Sequence, residues 1–150
     1  MTVKLTDAEL RAWQALLHAH QDVVRRLDAE LRAEHGIAFG DYDILRRLAR
    51  APDHTLNMTE LAQRVMLPPS TLTRRLDGLV ADGLVTRRRA PHDTRLMLAT
   101  LTDAGRRRVR RAAHTHLRGI RQHFTGRLTP SQVDDVATAL EAIAGAHEPH

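Results

Sequence analysis

The sequence contains no cysteine, which excludes a disulfide framework, a thiolate zinc site, a cysteine nucleophile and a thiol redox switch. It has a single lysine, Lys4, so nearly all of its positive charge is carried by arginine. No run approaches the ~18 apolar residues of a membrane span. Residues 1–7 lack the apolar stretch and cleavage site of a signal peptide, so a cytoplasmic address is expected. Repeats and low-complexity segments are missing. So are a glycine-rich phosphate loop, a close His–acid metal motif and a nucleophile elbow. No catalytic residue, metal or cofactor is therefore expected, and an enzyme using Asp, His and Arg has no support.

What is present is an ordinary globular composition, with 42% hydrophobic and 27% charged residues over 150 positions. That length fits one domain, or two small lobes sharing a core. Lys and Arg number 23 against 18 acids, a net charge of +5. Arginine forks onto phosphates and guanine edges, so this balance points toward nucleic acid. A GC-rich genome would enrich arginine regardless of function, so the positions of the arginines decide.

Thr6-Asp7-Ala8-Glu9 has the spacing of a capping box. Behind it Leu10, Trp13, Leu17, His20, Val24, Leu27 and Leu31 step by three and four, a heptad stripe ending near Gly36. A helix of about 28 residues this regular suits contact with another long helix. Tyr42, Leu45, Leu48 and Ala49 mark a second helix stopped by Ala51-Pro52, followed by a loop over 53–55. Asn57 with Glu60 predicts an N-cap for a helix over 57–66. Leu67-Pro68-Pro69 then turns the chain into a helix over 69–82, ended by Gly83 in the left-handed conformation. Two β-like runs, 84–89 and 96–101, flank a turn-rich tip over 90–95 and predict a hairpin. Thr102-Asp103 opens a fifth helix, and Thr129-Pro130-Ser131-Gln132 caps a sixth bearing Val133, Val136, Leu140 and Ile143.

Two short helices joined by a tight turn and followed at once by a basic hairpin form a winged helix-turn-helix pattern. The second helix of such a pair enters the major groove with its N-terminal residues at the base edges. Ser70, Thr71 and Arg74 are the expected base readers: small hydroxyls allow close approach, and the arginine fork matches guanine. Thr73, Arg75, Arg87, Arg88 and Arg89 are expected at phosphates. Side chains alternate along a strand, so the three consecutive arginines cannot all point one way. At least one should reach phosphate while another faces a neighbour. Arg95 suits the minor groove, with Asp93 orienting Arg95 or Arg87. The competing reading of each charge is a solvated helix or hairpin face.

These residues resemble the MarR family of bacterial transcriptional regulators, most closely from Met58 to Gly105. The resemblance is carried by Met58-Thr59-Glu60-Leu61-Ala62, Leu72-Thr73-Arg74-Arg75-Leu76-Asp77-Gly78-Leu79, Asp82-Gly83-Leu84-Val85, Asp93-Thr94-Arg95 and Leu101-Thr102-Asp103-Ala104-Gly105. It implies a mainly α protein with a small β-hairpin wing. A homodimer would then form through long N- and C-terminal helices over 1–36 and 102–150, around a DNA-binding region over 37–101. It further implies double-stranded, pseudo-palindromic operator DNA as partner. Repression of the protein's own or a neighbouring promoter, and release by a small, often aromatic, effector, would follow. Pro68 departs from the family's frequent Ser or Thr cap, and the cysteine of the oxidant-sensing branch is missing.

The resemblance places Trp13, His20 and Tyr42 on the helices that wall the effector crevice; Trp13 is otherwise a core or dimer contact and His20 a hydrogen-bonded seam residue. His114 and His116 point about 200° apart on a helix and cannot share an ion, while His116 and His123 lie two turns apart. Arg106-Arg107-Arg108 and Arg110-Arg111 could add phosphate contacts or form a solvated face. The rival to a sequence-specific regulator is a non-specific architectural, nucleoid-type DNA binder, which needs neither the seam nor paired half-sites. A module for protein contacts would leave the basic hairpin unexplained.

Overall fold

Short-range capping sets the ends of several helices in the computed structural model, which describes residues 2–145. At the first, α1 (Asp7–His35), the Thr6 N–H donates to Glu9 Oε2 at 2.7 Å and the Glu9 N–H donates to Thr6 Oγ1 at 3.2 Å. Gly36 follows with φ +62°. The second, α2 (Phe39–Arg50), has no capping side chain of its own. Asp28 supplies it from α1, accepting from the Phe39 N–H at 2.8 Å. Asn57 caps α3 (Met58–Val65) through the Glu60 N–H at 2.8 Å. Pro69 opens α4 (Pro69–Ala81). Thr129 and Gln132 form the reciprocal capping box of α6 (Pro130–Ala144), beyond α5 (Asp103–His123).

Three strands form one antiparallel sheet: β1 (Thr55–Asn57), β2 (Val85–Ala90) and β3 (Asp93–Leu101), in the order β1-β3-β2. The sheet therefore differs from the expected two-stranded hairpin. Thr55, read as loop, pairs with Thr100, and the two hydroxyls lie 2.8 Å apart. The wing tip is also tighter than expected. Ala90 pairs with Asp93 across Pro91-His92, with a register shift after Arg89, so 93–95 belong to β3 rather than to the turn. Between α3 and α4 the chain turns at Met66, in the left-handed region at φ 54° and largely exposed.

By internal packing the chain resolves into two units, one of residues up to Leu27 together with those from Leu117 onward, the other Asp28–His116. The second holds the main core, in which Ile44, Leu45, Leu48, Leu61, Leu72 and Leu76 are fully buried. Leu31 and Ala112 belong to that core. The C-terminal part of α1 and most of α5 thus pack with the winged helix. Three hydrogen bonds fix this arrangement. Thr115 Oγ1 donates to Glu34 at 2.7 Å and lies 2.8 Å from His35 Nε2, and Arg108 donates to the His35 carbonyl at 2.6 Å.

In the other unit, α6 buries none of its residues. Leu10, Trp13 and Leu17 on α1 and Ile143 on α6 are exposed. The apolar stripe of α1 is thus exposed at Leu10, Trp13 and Leu17 and buried at Leu27 and Leu31, while Val133 and Val136 on α6 are half-buried.

The Asp28 cap gives a pH-dependent contribution. Burial pushes its carboxyl up, but the Phe39 N–H, Arg32 and the more distant Arg75 together hold it below the ordinary aspartate range. A depressed acid pKa stabilises the fold above the unfolded-state pKa, and this contribution is lost as pH falls through the folded value. Asp28→Ala is expected to lower stability at neutral pH by about 1–2 kcal/mol. In urea unfolding the gap from wild type should close as pH drops below about 4.

Candidate nucleic-acid interface

The helix-turn-helix presents the start of α4 outward. Leu72, Leu76 and Leu79 are buried, which leaves Ser70, Thr73 and Arg74 exposed and Thr71 half-buried. Arg74 makes no hydrogen bond or ion pair among the described residues, so its fork is available to an outside partner. Thr73 is partly engaged, its hydroxyl donating to the Pro69 carbonyl at 3.0 Å. Pro68 precedes the helix without a side-chain cap.

Arg75 is placed differently from the expectation. It is half-buried, and its Nη1 donates to Asp41 Oδ1 on α2 at 3.0 Å. Its Nε is shielded from solvent. The reason is rotational: one step along the helix turns the side chain about 100°, from the outer face of Arg74 toward α2.

The wing arginines separate as strand alternation requires. Arg87 and Arg89 share one side of β2, and Arg88 takes the other. Arg87 is paired with Asp77, which joins the wing to α4. Arg89 donates to the Thr94 carbonyl at 2.8 Å, across the hairpin. Arg88 is exposed and has no partner among the described residues. Arg95 is 89% exposed and is gripped by Asp93, with Nε to Oδ1 at 3.1 Å, Nη2 to Oδ2 at 3.3 Å and the Arg95 backbone N–H to Oδ1 at 3.1 Å. Donation from the Arg95 side chain and backbone holds the Asp93 carboxyl below its usual range. Of the two partners expected for Asp93, the structure has Arg95.

Behind the wing, Thr102 ties its base to α5. Its Oγ1 donates to the Gly83 carbonyl at 2.7 Å and accepts from the Gly105 N–H at 3.0 Å. Its own N–H donates to the Leu84 carbonyl at 3.1 Å. The Leu-Thr-x-x-Gly motif is thus a joint, not a ligand site.

The expected effector residues fall in different units. Tyr42 is 2% exposed, with its ring 4.9 Å from that of His116, and burial raises its phenol pKa. It is a core residue of the winged-helix unit. Trp13 and His20 lie in the other unit, Trp13 on the uncovered face and His20 beside an apolar cavity of about 230 Å³ lined also by Leu16, Val23, Val24, Phe124 and Leu140. No group of three His, Asp or Glu side chains able to hold a metal occurs among the described residues. None of their helices is long and apolar enough to cross a membrane.

A helix-turn-helix whose second helix is open at its N-terminal end, braced by a basic wing, defines a winged-helix protein of the DNA-binding type. The sequence model of the MarR family matches residues 35–96. AbsC, a MarR family transcriptional regulator from Streptomyces coelicolor, is 30% identical, with 95% of this chain and 96% of that one covered at a TM-score of 0.88. Sco3205 of the same organism, a MarR family transcriptional regulator solved in complex with DNA, is 32% identical, with 99% and 93% covered at a TM-score of 0.90. The HTH-type transcriptional repressor YetL of Bacillus subtilis (strain 168) is 44% identical over 39% of this chain and 35% of its own length. The match to that curated relative spans about a third of it. The chain belongs to the MarR family.

Proposed function

We propose that the protein is a sequence-specific double-stranded DNA-binding transcriptional regulator, acting as a homodimeric repressor on a pseudo-palindromic operator. The observation that carries this reading is the pair of outward groups without partners among the described residues, Arg74 on α4 and Arg88 on the wing, whereas Arg87, Arg89 and Arg95 are engaged within the fold. Ser70, Thr71 and Arg74 read base edges. Arg88 holds phosphate, and Arg95, aimed by Asp93, enters the minor groove. Thr73 and Arg89 assist at the backbone. The exposed Leu10, Trp13 and Leu17 of α1 and Ile143 of α6 support a homodimer, because monomers rarely leave such apolar surface in water. A small apolar effector fits the cavity beside His20 better than it fits Tyr42, whose ring is enclosed.

The test is fluorescence anisotropy on DNA from upstream of the protein's own gene and on scrambled DNA, across a salt series. A preference of about 10³ or more, saturating at one dimer per site, is expected. Equal affinities with a steep salt slope would instead identify an architectural binder. In the same assay, Arg88→Ala should weaken both DNAs alike. It should also flatten the slope of log K against log salt by about 0.9 for each phosphate contact removed.

A further inference from the structure

Arg75 is the one arginine of α4 that points into the fold, and its surroundings are built around it. Its Nη1 meets Asp41 at 3.0 Å, with both side chains about one-third exposed. Its guanidinium lies against the backbone of Gly40, where a Cβ would come within 2.9 Å of Cζ. Its charge also acts on Asp28, the residue that caps α2 from α1. The first turn of α2 is thus held on one side by α1, through Asp28 and the Phe39 N–H, and on the other by the recognition helix, through Asp41 and Arg75. From this geometry we infer that Arg75 is a positioning residue, a strut that fixes the angle of α4 against α2 and so sets sequence discrimination without touching DNA. The inference rests on the DNA-binding reading above and concerns how that same site is held.

The physical case is one of tolerance. Base-edge hydrogen bonds lose strength with small errors of distance and angle, so a reading helix must be held to about 0.5 Å. Phosphate contacts through flexible arginines tolerate such errors. Loosening α4 therefore costs specific binding more than non-specific binding. A half-buried, charge-assisted bond between two helices is directional, which apolar packing alone is not. The absence of a side chain at Gly40 allows the guanidinium to lie flat on α2.

The variants Asp41→Asn, Arg75→Gln and the double variant are compared with wild type in the operator and scrambled-DNA assay over salt. Each should lower the ratio of operator to scrambled affinity by roughly tenfold, with scrambled affinity and salt slope unchanged. The double variant should be no worse than either single one, since both remove the same strut. Gly40→Ala alters neither charge, and the three atoms nearest its new Cβ all belong to the flexible end of Arg75. It should lower the ratio in the same direction, and it carries the test if a charge variant does not fold in urea titration. A flattened salt slope with loss on both DNAs for Arg75→Gln, and no change for Asp41→Asn, would make Arg75 a phosphate contact and overturn the inference. An unchanged ratio in folded Asp41→Asn or Gly40→Ala would also overturn it. Wild type that does not prefer operator would count against the functional reading itself, a separate outcome.

Discussion

Arg74→Ala is expected to reduce affinity for operator DNA by about 5- to 150-fold per half-site, the range of about 1–3 kcal/mol for a bidentate arginine–guanine pair. The side chain is exposed and has no partner among the described residues, so its removal breaks nothing within the fold and should leave thermal stability near that of wild type. The informative measurement is anisotropy on a set of operators with single base-pair changes. Wild type should lose affinity at the guanine contacted by Arg74, and the variant should bind all bases at that position alike. Equal loss on every sequence, scrambled DNA included, would show that Arg74 touches phosphate and that reading lies with Ser70 and Thr71.

The second large effect concerns folding. Gly105 is buried at the joint between wing and α5, and a Cβ there would lie 2.3 Å from the Leu84 carbonyl oxygen and 2.4 Å from Leu101 Cδ1. The Leu84 oxygen cannot retreat freely, because it already accepts from the Thr102 N–H at 3.1 Å. Gly105→Ala should therefore cost about 3 kcal/mol. For a chain of this size the midpoint should fall by about 6–12 °C in calorimetry. Gly78→Ala is the matched comparison. A Cβ at Gly78 meets nothing within 4 Å, and the residue lies inside α4, so alanine should raise stability by up to about 1 kcal/mol. If both substitutions proved neutral, the close packing of α5 on the wing base would be wrong.

How far the sequence foretold these features follows from the range of the interactions involved. The caps of α1, α3 and α6 were legible, because donor and acceptor lie three residues apart and the chemistry is local. The Asp93–Arg95 pair is legible only as one of two alternatives, since Arg87 offers the same charge to Asp93. β1 was not, since three residues carry no alternation and its partner strand lies 45 residues away at the Thr55–Thr100 pair. The wing tip read as too long because Pro91, His92, Asp93 and Thr94 all favour turns, and the pairing of Ala90 with Asp93 decides where the turn ends. Arg75 reads as a phosphate contact in the sequence because sequence shows charge and not the facing helix. Asp41 stands 34 residues earlier, and no spacing rule joins the two. The resemblance alone places Tyr42 at the effector crevice, and nothing local to it signals the His116 ring that lies against it.

The strand order carries a consequence for the protein at high concentration. Because β3 is central, the sheet has two open margins, β1 and β2. An unpaired margin is a template onto which another polypeptide can add, the first step toward fibrils. Here one margin is only three residues long, and the other bears three successive arginines that repel an incoming copy of itself. The wing's arginines thus guard solubility as well, and replacing all three with uncharged β-formers would turn the outer strand into a site of self-association.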